Sequence, residues 1–170
     1  MKKFFVSLFL IFICSVSLSA QEDIETGSCT SITVGKEAST DGSIMTSHTC
    51  DSDFRTWMKM EPRIKYNKGA TEAVYKGLLH TDLPWDRRTV TKAGEIPAPQ
   101  QETYKYLNTA YPCMNEKQLA MGETTFEGRP ELVNPDGLFQ IEELQRIALQ
   151  RCSTARQAIR LMGELAQEYG

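Results

Sequence analysis

The chain changes its periodicity once, and that change limits the folds open to it. Up to Phe126 apolar and polar residues alternate in short runs, whereas from Phe139 onward they recur at helical spacing. A period of two belongs to strands with one buried face, and recurrence at three and four belongs to amphipathic helices. Ile141, Leu144, Ile147, Ala148 and Leu149 form one such stripe between Phe139 and Cys152. Thr154 to Gln157 (TARQ) has the form of a capping box that opens a second helix, which is expected to bury Ala155, Ala158, Ile159, Met162 and Leu165. Hairpins followed by two amphipathic helices predict an α+β fold, with helices packed on one face of an antiparallel sheet.

The alternating part divides into segments. Thr30 to Gly35 (TSITVG) is β-branched and alternating, Asp41-Gly42 is a turn signal, and Ser43 to Cys50 (SIMTSHTC) is the return strand. This hairpin has Cys29 at its start and Asp51 at its exit, two ends that lie on the same side of the turn. Phe54 to Tyr66 mixes aromatics with charges around Pro62. Gly69 to Ala98, with Trp85 and several Gly and Pro residues, is expected to be long loops with at most one short strand. Thr103 to Met114 predicts a strand, Asn115-Glu116-Lys117 a turn, and Gln118 to Phe126 the partner strand, with Gly122 at a bulge. Two hairpins and two helices leave one sheet face little covered, so the segment is expected to be the N-terminal part of a larger protein.

The first residues address the chain. Lys2 and Lys3 precede an apolar run from Phe4 to Val16, and Ser17 to Ala20 offers small residues for cleavage after Ser19 or Ala20. Residues 1–20 therefore read as a secretory signal peptide, too short to span a bilayer. Lipidation is disfavoured, because bulky Ile13 precedes Cys14 and Cys29 lies well beyond the apolar run. Export places the protein in the periplasm or outside the cell. About 150 residues then remain, enough for one domain with its own core. A formal charge of −3 and a pI near 5.5 argue against a nucleic-acid partner, and no second apolar segment calls for a membrane once the signal is gone.

Of five cysteines, Cys29, Cys50, Cys113 and Cys152 survive signal removal. Their spacing fits no zinc pattern, so neither a metal nor a cofactor is expected. An even number in an exported chain leaves disulfides such as Cys29–Cys50 or Cys113–Cys152 open, and with them a noncatalytic disulfide-bonded domain. A thiolate is also a strong nucleophile once a base is near. The two histidines, His48 and His80, offer a Cys-His arrangement, though no papain-like or caspase-like signature surrounds Cys29. Another design needs no histidine. Cleavage just before Cys29 would free an α-amino group with a pKa of about 8 beside the thiol, and that amine can take the thiol proton. The polar, acidic leader 21–28 (QEDIETGS) ahead of Cys29-Thr30-Ser31 has the form of a disposable segment, and Asp51 is placed to orient the amine.

These residues carry a resemblance. CTSITVGKEASTDGSIMTSHTCD resembles the opening of the cysteine dipeptidases of peptidase family C69, within the N-terminal nucleophile hydrolases. The matching features are Cys29-Thr30, the run from Val34 to Ser43, and Asp51. GEIPAPQQETYKYL (Gly94 to Leu107), CMNEKQLAMGETT (Cys113 to Thr125) and the two closing helices resemble later segments of that family in order, so the likeness covers nearly all of 29–170.

The resemblance implies a partial αββα sandwich and an N-terminal part of the dipeptidase domain over 29–170. It implies hydrolysis of a dipeptide through a thioester acyl-enzyme, with Cys29 as nucleophile and its own α-amino group as base after autocatalytic loss of the leader. Asp51 matches the family aspartate near the nucleophile. Related bile-salt and penicillin acylases, which act on N-acyl amides, carry an arginine shortly before that aspartate, where His48 stands here. An amidase of that kind is the alternative of the same fold. Asn115, Glu123, Thr124 and Thr125 match strand positions lining the cleft in relatives, where donors hold the oxyanion or the substrate amine. The expected partner is the dipeptide substrate, and a homo-oligomer of the full-length protein is left open.

Overall fold

The computed structural model describes residues 29–49, 58–77, 90–109, 111–124 and 128–170. The strands are β1 (Ser31–Val34), β2 (Met45–His48), β3 (Lys59–Glu61), β4 (Thr71–Gly77), β5 (Val90–Pro97), β6 (Tyr106–Asn108) and β7 (Pro112–Asn115). A 3-10 turn at Pro130–Leu132 leads to the helices α1 (Ile141–Arg151) and α2 (Ala155–Tyr169). All strand pairings are antiparallel: β1 with β2, β4 with β5, and β3-β6-β7 in that order. The α+β class expected from the change in periodicity is the one observed, and it is consistent with a partial N-terminal nucleophile fold.

Two apolar clusters meet on α1. Val74 of β4 and Ile96 of β5 pack with Ile147 and Leu165. Tyr106 and Leu119 pack with Ala148, Leu149, Cys152 and Ala158. Leu161 of α2 touches both clusters, so the second helix lies across the seam. The helices thus bridge two sheets that share no strand. Each large aliphatic side chain buried here contributes about 1.5–3 kcal/mol.

The rest of the α1 surface is not left to water. Glu142, Glu143, Gln145 and Gln150 are buried. Arg146 pairs with Glu72 of β4 and, at 2.7 Å, with Glu143. Arg151 donates to Glu72 at 2.7 Å and to the Pro97 carbonyl at 3.0 Å. Burial works against the charge on Glu72, but Arg146 and Arg151 outweigh it and hold the carboxyl below its ordinary range. Burial likewise works against the Arg146 guanidinium, and Glu143 and Glu72 together raise it above its ordinary value. The network pins α1 in register on β4.

Four expectations need correction. The described residues of the stretch Gly69 to Ala98 are mostly two strands, β4 and β5, paired from Thr71↔Pro97 to Gly77↔Val90 with one register shift after Val74. Their pattern is masked because a charge, Glu72, takes an inward position next to Val74, and because β5 carries Gly94 and Pro97. The missing side chain of Gly94 lets Leu138 lie against the strand: a Cβ there would stand 2.7 Å from Leu138 Cδ1 and would push that methyl aside.

The strand predicted over Thr103 to Met114 is two strands, β6 and β7, folded on each other. Pro112 opens β7, a position where its missing N–H is tolerated. The partner strand predicted over Gln118 to Phe126 is reduced, among the described residues, to a single bridge between Met114 and Ala120. Gln118 at φ 63° turns the chain, after which the Met121 N–H donates to the Cys113 carbonyl at 2.9 Å.

On α2, the face is rotated from the one expected. Ala158 and Leu165 are buried, but Ile159 is 72% exposed and Ala155 faces solvent. Leu161 takes the inward place because the helix has two apolar clusters to cover. The Thr154 hydroxyl accepts from the Gln157 N–H at 3.3 Å, as a capping residue should. The Gln157 carbonyl reaches the Ser153 N–H at 3.0 Å, one residue beyond the usual partner.

Candidate active site

Cys29 stands immediately before β1 as a half-buried free thiol. The hairpin pairs Ser31 with His48, Thr33 with Thr46 and Val34 with Met45. Its connection is longer than a tight turn. It runs from Gly35 to Ile44, with Asp41 accepting from the Ser43 N–H at 3.0 Å and Gly42 at φ 74°. The pairing extends toward Cys29, because the Thr49 N–H donates to the Thr30 carbonyl at 2.8 Å and the Thr30 N–H donates to Thr49 Oγ1 at 3.2 Å.

Strand alternation sorts the side chains. Ile32, Val34 and Met45 share one face, and Ser31, Thr33, Thr46 and His48 share the other. Carried one step back from Ser31, the alternation puts Cys29 on the hydroxyl face. That face meets residues 122–124. The Ser31 hydroxyl is hydrogen-bonded to the Thr124 hydroxyl. The His48 ring lies so close to Gly122 that a Cβ there would stand 2.9 Å from Nδ1 and 3.1 Å from Cγ.

The expected site residues therefore fall into three groups. His48 and Thr124 meet at this face, with half-buried Glu123 next to Thr124, and Cys29 stands two residues before Ser31 at the start of the hairpin. Asp51 and Thr125 lie outside the described residues, as do His80 and Cys50. Asn115 belongs elsewhere. It is buried, and its Nδ2 donates to the carbonyls of Leu149 and Cys152, both at 2.8 Å. Its Oδ1 accepts from the N–H groups of Lys117 at 3.0 Å and Leu119 at 3.1 Å. Both amide protons satisfy the C-terminal end of α1 and the oxygen holds the turn, so Asn115 has no donor left to offer an oxyanion.

Ser31 and Gly122 were not singled out from the sequence as site residues. The signal for Ser31 was available, since it is two residues from Cys29 on an alternating strand. Gly122 gave no such signal. It reads as a bulge until the structure shows which ring fills the space of its missing side chain.

The other cysteines are not placed for catalysis. Cys113 and Cys152 are free thiols, which removes the Cys113–Cys152 disulfide from consideration. Burial pushes both thiols above their ordinary range, which keeps them protonated and unreactive. A separate cavity of about 560 Å³ opens between β3, β4 and α1, lined by Glu61, Tyr66, Glu72, Tyr106, Glu142 and Arg146 among others, and Cys29 is not part of its wall.

A free thiol ahead of the first strand, on an α+β scaffold of antiparallel sheets, is consistent with a partial N-terminal nucleophile fold. The model of peptidase family C69 matches residues 28–170, and the chain belongs to that family. Comparison with curated proteins and with solved structures finds no match. Peptidase activity in general follows from the family.

Proposed function

We propose that the protein is an exported cysteine-type dipeptidase whose nucleophile is Cys29 after removal of residues 1–20 and of the leader 21–28. The observation that carries this reading is the place of Cys29. It is a free thiol one residue ahead of the paired backbone of the first strand, in a family of peptidases whose match begins at residue 28.

The chemistry runs in two halves. The freed α-amino group, with an ordinary pKa of about 7.7–8.0, accepts the Cys29 proton. The thiolate attacks the scissile carbonyl, and the tetrahedral oxyanion collapses as the ammonium protonates the departing amine. This leaves a thioester. The amine, again neutral, takes a proton from water; the resulting attack on the thioester releases the second product and restores the thiol. In this reading Asp51 orients the amine, and Thr124 and Thr125 are candidates to donate to the oxyanion. No cofactor takes part.

The test uses the complete protein. N-terminal sequencing of the mature form is expected to begin at Cys29, and Cys29→Ala is expected to retain the leader and to release no amino acids from a dipeptide panel. Unchanged turnover in that variant would end the reading. A mature start near Gln21 with Cys29 oxidised would favour the disulfide-bonded domain. Cleavage of N-acyl amides in preference to dipeptides would favour an acylase.

A further inference from the structure

We infer that His48 is the group that receives the free carboxylate of the substrate, and that Gly122 is the positioning residue that lets it do so. The inference rests on the dipeptidase reading and names one of its subsites. A dipeptide differs from a peptide bond inside a longer chain in the charges at its two ends, so an enzyme restricted to dipeptides has to contact them.

Among the residues of β1, β2 and 120–124, His48 is the only side chain able to carry positive charge. It lies opposite Ser31 on the hydroxyl face, and the pairing continues through Thr30 and Thr49, so extending the strand to Cys29 makes His48 its diagonal cross-strand neighbour. Diagonal neighbours are about 7–8 Å apart. The carboxylate of a dipeptide lies roughly 3.8 Å, one residue length, beyond the attacked carbonyl. A thiol at one corner of the diagonal and an imidazole at the other therefore span the scissile bond and the C-terminal residue. A ring N–H can donate to a carboxylate whichever charge state the ring holds, and a hydrogen bond with one charged partner is among the stronger kinds.

Gly122 fixes where the ring stands. The atoms that would meet a Cβ at 122 are Nδ1, Cγ and Cβ of His48, at 2.9, 3.1 and 3.5 Å. These are the root of the side chain and not its free end, so a methyl group there cannot be avoided by a small swing of the ring. The Ser31–Thr124 hydrogen bond ties the same two segments together next to this contact.

The test compares a dipeptide with its C-terminal amide on the complete, processed enzyme. The wild type is expected to favour the free dipeptide by about tenfold or more in kcat/KM. His48→Ala, which removes the ring N–H, is expected to lower kcat/KM for the dipeptide by about tenfold to a hundredfold, mainly through KM, and to lower it for the amide by clearly less. Gly122→Ala is expected to move the same ratio in the same direction by about tenfold. Because the amide is measured on the same preparation, a folding defect lowers both substrates alike and leaves their ratio in place. A wild type that cleaves dipeptide and amide equally, or variants that lower both alike, overturns the role of His48 and Gly122 and leaves the dipeptidase reading intact. Turnover that survives Cys29→Ala overturns that underlying reading instead.

Discussion

The hairpin that carries Cys29 and the helix that carries Arg146 are built by opposite means. On β1 and β2 nearly every residue faces water: Ile32 is 63% exposed and Met45 52% exposed. On α1, Ile147, Ala148 and Leu149 are completely buried, and even its glutamates and glutamines lie within the protein. The hairpin is joined to residues 122–124 by one hydroxyl pair and one ring-on-glycine contact. The helix is fixed by two apolar clusters and a charged network with β4. Burial therefore concentrates in the scaffold, whereas the hairpin carrying the proposed nucleophile buries little of its own surface among the described residues.

That division predicts a graded series of effects. The largest is expected from Arg146→Ala, which leaves Glu143 buried without its arginine and Glu72 with Arg151 alone. A loss of about 3–5 kcal/mol in chemical denaturation is expected. A loss below about 1 kcal/mol would mean that the network is a passenger and the apolar clusters hold the helix alone.

A smaller, pH-dependent effect is expected from Glu72. Its carboxyl titrates below the ordinary glutamate range in the folded state, so the unfolded chain binds its proton first as pH falls. The stability it supplies is complete above the ordinary glutamate pKa, about 4.3, and disappears as pH drops through the lower folded value. Thermal unfolding followed from neutral to acid pH should show that decline. In Glu72→Gln the decline is expected to be shallower, and an unchanged slope would place the acid sensitivity elsewhere. The smallest effect is expected from Ile32→Ser on the exposed face of the hairpin, within about 0.5 kcal/mol by denaturation. A larger loss would show that this face is covered and would erase the contrast between hairpin and scaffold.

Some of this architecture was readable before any coordinates. The hairpin around Asp41-Gly42 and both helices were legible because each obeys a local rule: alternation around a turn signal for the hairpin, apolar recurrence for α1, and apolar recurrence behind a capping threonine for α2. The placing of Cys29 ahead of the first strand was legible for the same reason, since an alternating strand follows it. β4 and β5 were not legible, because Glu72 sits where an apolar residue is expected and its charge is neutralised by Arg146 and Arg151 from a helix about seventy residues on. Asn115 misled for a related reason. Its place in a turn is local, but its amide is taken up by carbonyls at the end of α1.

The sequence by itself determined the order of strands before helices, the turn of the first hairpin and the position of the thiol ahead of it, because those depend on neighbours within a few residues. Only the tertiary structure decided which charges could be buried, which amide was already engaged, and that Gly122 lies against His48. Those outcomes depend on partners far apart in the chain, and a buried polar group or a missing side chain acquires its meaning only from what packs against it.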